Sequence, residues 1–155
     1  MSKMPSNVAA FFAGKRFAVA GVSRQPQQAA NAIYRKFLGA GFEVLPVNPN
    51  ATMVEGVPCY PDVASIPGTI DGVVIATRPD VAPNVVRECA EKGVRRVWFH
   101  RSFGAGSVSK EALRECKARG IEAIVGGCPL MYCEPVDAGH RCVRSLLGLF
   151  GKVPG

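Results

Sequence analysis

No apolar run in the 155-residue sequence approaches the roughly 18 residues of a membrane-spanning helix, so none is expected. Met1-Ser2-Lys3-Met4-Pro5 lacks the apolar stretch of a secretory signal, and Lys15-Arg16 follow too soon for one. Gly151-Lys152-Val153-Pro154-Gly155 carries no lipidation signal. A cytoplasmic protein is expected. Without a secretory signal, the six cysteines (Cys59, Cys89, Cys116, Cys128, Cys133 and Cys142) read as thiols rather than bridges. Histidine is scarce: His100 and His140 are the two present, and no Ser–His–Asp or Cys–His–Asn set emerges from their spacing. Internal repeats, low-complexity tracts and linkers are also missing, so residues 1–155 read as one domain, large enough to hold a core without disulfides or metal.

Acidic residues are the other shortage. Nineteen Lys+Arg face twelve Asp+Glu, a net charge of +7. From Arg87 to Arg119 there are nine basic and four acidic residues, so this stretch holds five of the seven net charges. Such a balance suits a polyanion, either nucleic acid or a small ligand with several phosphates. Solvated helix faces explain much of it, with Glu88–Lys92 and Glu115–Arg119 spaced as i,i+4 pairs. Nucleic acid is disfavoured, because the aromatics nearby, Trp98 and Phe99, fall inside a strand-like run.

What is present is a regular alternation. Phe17–Ala20, Phe42–Val47, Gly72–Ala76, Val94–Phe99 and Ile121–Val125 read as strands. Continuous apolar runs suit a parallel sheet covered on both faces. Pro46 suggests the end of the second strand, and Cys59-Tyr60 suggests a short extra one.

Between the strands run helical stripes. One has Ala30, Ile33, Phe37 and Leu38, stopped by Gly39 and Gly41. The next has Ala82, Val85, Val86 and Cys89, with Asp80 as N-cap and Gly93 beyond its end. A third has Ala112, Leu113 and Cys116, ending at Gly120. A short helix capped by Asn7, running Val8–Ala13 to a stop at Gly14, opens the chain, and one with Val143, Leu146, Leu147 and Phe150 closes it. This last helix suits packing at home or in a homodimer. The expected fold class is α/β: a Rossmann-like, doubly wound, open parallel sheet of about five strands with helices on both faces.

Ligands of such sheets bind beyond the carboxyl ends of the strands. The first loop, Gly21-Val22-Ser23-Arg24-Gln25-Pro26, is a glycine turn with Ser23 and Pro26 where a dinucleotide fingerprint has glycines. Gly21 suits the tight turn, Ser23 offers a hydroxyl beside the start of the following helix, and Arg24 a cation for a pyrophosphate. After the second strand, Val47-Asn48-Pro49-Asn50 has no carboxylate for a ribose, which counts against NAD. NADP stays open, although no arginine stands there either.

The order Gly21-Val22-Ser23-Arg24, Asn31, Pro46-Val47-Asn48-Pro49, Asp71-Gly72-Val73-Val74-Ile75 and Cys128-Pro129 resembles the small single-domain CoA-binding proteins. These are similar to the N-terminal CoA-binding domain of the succinyl-CoA synthetase α subunit. The resemblance implies a Rossmann-like fold with coenzyme A, or an acyl-CoA, as ligand. It implies that Gly21, Val22, Ser23 and Arg24 surround phosphates, with Asn31 among the matched site residues. Asn48 and Pro49 would shape the nucleotide side, and Thr77, Arg78 and Pro79 would line the adenine and pantetheine path. The family often has a basic residue where this chain has Asn50, and the loop His100-Arg101-Ser102-Phe103-Gly104-Ala105-Gly106 departs from the commoner forms. No contact is carried over at either place.

The expectation is a CoA-binding module without chemistry of its own. The alternatives are a nucleotide- or thioester-dependent enzyme using Cys128 or His100, and an NAD(P)-binding protein. Cys128 follows a strand on the ligand side, where a mixed disulfide with CoA would need a lowered thiol pKa. Cys128, Cys133, His140 and Cys142 form a sulfur-and-imidazole cluster, but their spacing is not that of a zinc knuckle.

Overall fold

The computed structural model describes residues 4–101, 106–136, 138–151 and 153–154. Ser102, Phe103, Gly104 and Ala105 of the expected ligand-side loop, and the side chain of Val143, lie outside what is described.

The five apolar runs form β1 (Arg16–Ala20), β2 (Glu43–Val47), β5 (Gly72–Ile75), β6 (Arg96–Phe99) and β7 (Glu122–Val125). They pair in parallel in the order β2-β1-β5-β6-β7. The chain therefore leaves β1 for one neighbour and later returns to pair with β1 on its other side, which puts the switch point at β1. Register aligns the strand ends there, since Ala20 lies opposite both Val47 and Ile75.

Between β2 and β5 the chain makes a two-stranded hairpin, β3 (Met53–Val54) and β4 (Val57–Pro58). The helices are α1 (Ser6–Phe12), α2 (Ala29–Gly39), α3 (Ala82–Lys92), α4 (Lys110–Ala118) and α5 (Ala138–Gly148).

Side chains alternate across the sheet, so each strand feeds two cores. Phe17, Val19, Val74, Trp98 and Ile124 pack on the side of α1, α2 and α5. Ala18, Ala20, Val73, Ile75, Val97 and Phe99 pack on the side of α3 and α4. An aromatic cluster anchors the first core: Phe11 stacks on Phe17 at 5.0 Å and meets Trp98 edge-on at 5.5 Å. Gly72 lets Phe11 approach, since a Cβ there would lie 2.7 Å from the ring.

Several expectations shift. Pro46 stands inside β2 rather than ending it, which is tolerated because β2 is the outermost strand on its side. Asn7 is inside α1, with Pro5 in the cap position, and its side chain accepts a hydrogen bond from the neighbouring Val8 N–H. Asp80 does not cap α3; Val81 takes that place and Asp80 pairs with Arg78. Gly93 ends α3 in the left-handed conformation (φ 80°), as expected. Leu38 and Leu113 are exposed, and so is Phe150, which lies past the end of α5. Tyr60 makes a single parallel bridge to Val47 in place of a strand.

Candidate functional site

Gly21 sits at the switch point, bonded to the end of β2 and packed close against the end of β5. Its N–H donates to the Val47 carbonyl at 3.0 Å. Its φ is +107°, and a Cβ would lie 2.4 Å from the Ala76 carbonyl oxygen. Only glycine fits where the turn after β1 passes this close to the end of β5.

The rest of the turn is held by Asn31 and Asn48, two of the residues expected at the ligand. Asn31 on α2 is fully buried. Its Oδ1 accepts from the Ser23 N–H at 2.9 Å, while its Nδ2 donates to the Ser23 carbonyl at 2.8 Å. The same Nδ2 donates to Glu55 Oε1 at 2.9 Å, and Arg35 donates to that oxygen as well. Arg35 also donates to the Pro26 carbonyl at 2.9 Å. Glu55, at the tip of the β3–β4 hairpin, has φ 50°. Asn48 donates from Nδ2 to the Val22 carbonyl at 2.9 Å and accepts at Oδ1 from the Asn50 N–H at 2.8 Å. Two asparagines thus hold the backbone of the turn. The Ser23 hydroxyl accepts from the Gln25 N–H at 3.0 Å, closing a local turn, and α2 starts only at Ala29.

Two adjoining grooves open on this edge, sharing Pro49, Asn50 and Pro61. One, of about 560 Å³, is lined by Arg24, Ala51, Thr52, Met53 and Cys59 as well. The other, of about 370 Å³, runs from Gly21 and Asn48 past Thr77 and Arg78 to Val81, Asn84, Val85 and Glu88 on and before α3. Gly21, Arg24, Asn48, Pro49, Thr77 and Arg78 therefore gather around one cleft. Val22, Ser23, Asn31 and Pro79 do not line it: Val22 is buried in the core and Asn31 acts through the turn. Arg24 is exposed, with no carboxylate partner among the described residues. Arg78 pairs with Asp80 at 3.0 Å, but the two side chains are 78% and 68% exposed, so the pair is weak.

The alternative chemistry is placed differently. His100 follows β6, and burial pushes its imidazole pKa below the ordinary value. Cys128 is buried, and its sulfur accepts from the Met131 N–H. No disulfide joins any cysteine, and among the described residues no three His, Cys, Asp or Glu side chains converge to hold a metal. Much of the basic surface is helix-face pairing: Arg87 meets Glu111 and Glu115 at 3.1 Å, and Arg119 meets Glu115 at 2.8 Å. Trp98 and Phe99 are fully buried, leaving neither ring for base stacking. The Glu88–Lys92 pair is not formed; Glu88 turns toward Asn84 and the Val63 N–H.

Glu55 and Glu88 were not singled out as site residues by the sequence. Glu55 lies between the second and third expected strands, and its partners Asn31 and Arg35 are 24 and 20 residues away. No local pattern marks such a contact.

A family model described as a CoA binding domain matches residues 15–134. An uncharacterized Bacillus subtilis protein, YneT, is 31% identical over 114 residues, covering 74% of this chain and 82% of that one. The alpha subunit of a Pyrococcus furiosus ADP-forming acetate–CoA ligase (II) is 32% identical over 108 residues, 69% of this chain but 23% of the subunit. The chain thus spans about a quarter of that ligase subunit. Among solved structures, a conserved hypothetical protein from Pyrococcus furiosus has a TM-score of 0.63 at 35% identity, covering 71% of this chain and 91% of that one.

Proposed function

Because the chain belongs to the CoA binding domain family, we propose that it binds coenzyme A or an acyl-CoA in the cleft at the β1 switch point, as a binding module without its own chemistry. The observation that carries this reading is the convergence, on one edge, of a locked glycine turn, an exposed arginine with no carboxylate partner among the described residues, and an apolar slot.

The pyrophosphate lies against the Gly21–Arg24 turn, with the Arg24 guanidinium as its cation. Asn31 and Asn48 fix the turn in advance, so little backbone ordering remains for binding. Val47, Pro61, Val81 and Val85 supply apolar walls for the base. Thr77 and Arg78 border the same path, and Arg78 is placed for a second phosphate. Asn48 also stands where an NAD site has its ribose carboxylate, which supports CoA over NAD.

The experiment that tests the placement is amide chemical-shift mapping with CoA. Shifts concentrated at residues 21–26, 47–50 and 76–81 support it. Shifts centred on α4, with these three segments silent, would refute it.

A further inference from the structure

Glu88 is a carboxylate facing the slot without a cation. Its Oε1 accepts from Asn84 Nδ2 at 2.9 Å and its Oε2 from the Val63 N–H at 3.1 Å. Both donors are neutral. Among the described residues no lysine or arginine pairs with it, although Lys92 stands four residues on. Burial is the main cause raising its carboxyl above the ordinary glutamate value; the Val63 N–H opposes this, and Asp62 and Glu91 add to it. A half-buried charge of this kind gains from further donors. Each oxygen has one bond and keeps acceptor capacity for another.

The surroundings say which donor fits. Glu88 lines the groove whose walls are Val47, Pro61, Val81 and Val85. Three of the other polar side chains there have partners of their own: Asn48 holds Val22 and Asn50, Thr77 donates to the Arg78 carbonyl at 3.2 Å, and Arg78 pairs with Asp80. An apolar slot bordered by an acceptor-only carboxylate suits an apolar ring bearing an amino substituent.

We propose that Glu88 is the base-specificity residue of the site, its carboxylate accepting a hydrogen bond from the 6-amino group of adenine. The inference rests on the CoA reading above. An oxo group at the same ring position presents lone pairs to the carboxylate, so the site rejects a 6-oxo purine by repulsion as well as by a missing bond. Asn84 is a positioning residue, holding the carboxylate through Oε1.

The test compares dissociation constants for CoA and for its deaminated 6-oxo (inosine) analogue. Wild type binds CoA about 10- to 100-fold more tightly, the range for a hydrogen bond to a charged group. Glu88→Gln keeps the size and an acceptor for Val63, and its amide can donate to an oxo group. It narrows the preference to within about threefold or reverses it. Equal affinity of the two ligands for wild type overturns the proposal without any variant, and so does full discrimination retained in Glu88→Gln. If wild type binds neither ligand, the CoA reading itself fails and takes this inference with it.

Discussion

Asn31 and Ser23 exchange two hydrogen bonds: Oδ1 accepts from the Ser23 N–H at 2.9 Å and Nδ2 donates to its carbonyl at 2.8 Å. A helix side chain thereby replaces the backbone partners that the turn after β1 lacks. Asn31→Ala leaves buried polar groups unpaired, and a loss of about 1–3 kcal/mol is expected in urea unfolding. CoA affinity should fall about tenfold or more, because the turn must then be ordered on binding. Asn31→Asp keeps the acceptor but loses both Nδ2 bonds and sets a charge beside Glu55, so it should be at least as damaging.

Gly21→Ala tests the close approach at the switch point. With φ +107° and a Cβ 2.4 Å from a carbonyl oxygen, the variant must shift the end of β1 or β5. A destabilisation of about 1–3 kcal/mol is expected from backbone strain alone. Gly93→Ala offers a comparison, since its φ is also positive but no atom lies within 4 Å of its Cβ. Denaturant midpoints should rank wild type, Gly93→Ala, Gly21→Ala in falling order.

Asp71 governs part of the acid response. Its Oδ2 accepts from the Lys15 and Arg16 N–H groups at 2.9 and 3.0 Å, and these bonds hold its carboxyl below the ordinary value of 3.8. A lowered folded-state pKa gives a stabilising contribution that is fully present above about 3.8 and lost as pH falls through the folded value. Stability measured against pH should therefore drop on this limb, and Asp71→Asn should flatten it.

Thiol reactivity should follow burial. Burial raises Cys116 to about 11, raises Cys89 further, and also raises Cys59 and Cys133. Cys142 is exposed. A disulfide reagent on the folded protein should modify Cys142 first, with Cys89 and Cys116 reacting only on unfolding.

The strands were legible because each is a continuous apolar run, and burial on both faces demands that pattern. That Gly21, Arg24, Asn48 and Thr77 lie together on one edge was legible because a parallel sheet sends every strand-end loop there. What failed were choices with two local solutions. Asp80 looked like a cap yet pairs with Arg78, and Glu88 looked like a partner for Lys92 yet turns into the slot. Asn31 was matched by family resemblance, but its role in holding Ser23 needed the distance between α2 and the turn. Glu55 left no trace, because its contact depends on how the hairpin folds back on α2.

Calorimetric titration of CoA, with dephospho-CoA, NAD and NADP as comparators, tests the central claim most directly. Wild type should bind CoA more tightly than the other three, and Arg24→Ala should weaken that binding about tenfold and reduce its sensitivity to salt. Heat from NAD or NADP with none from CoA would contradict the account.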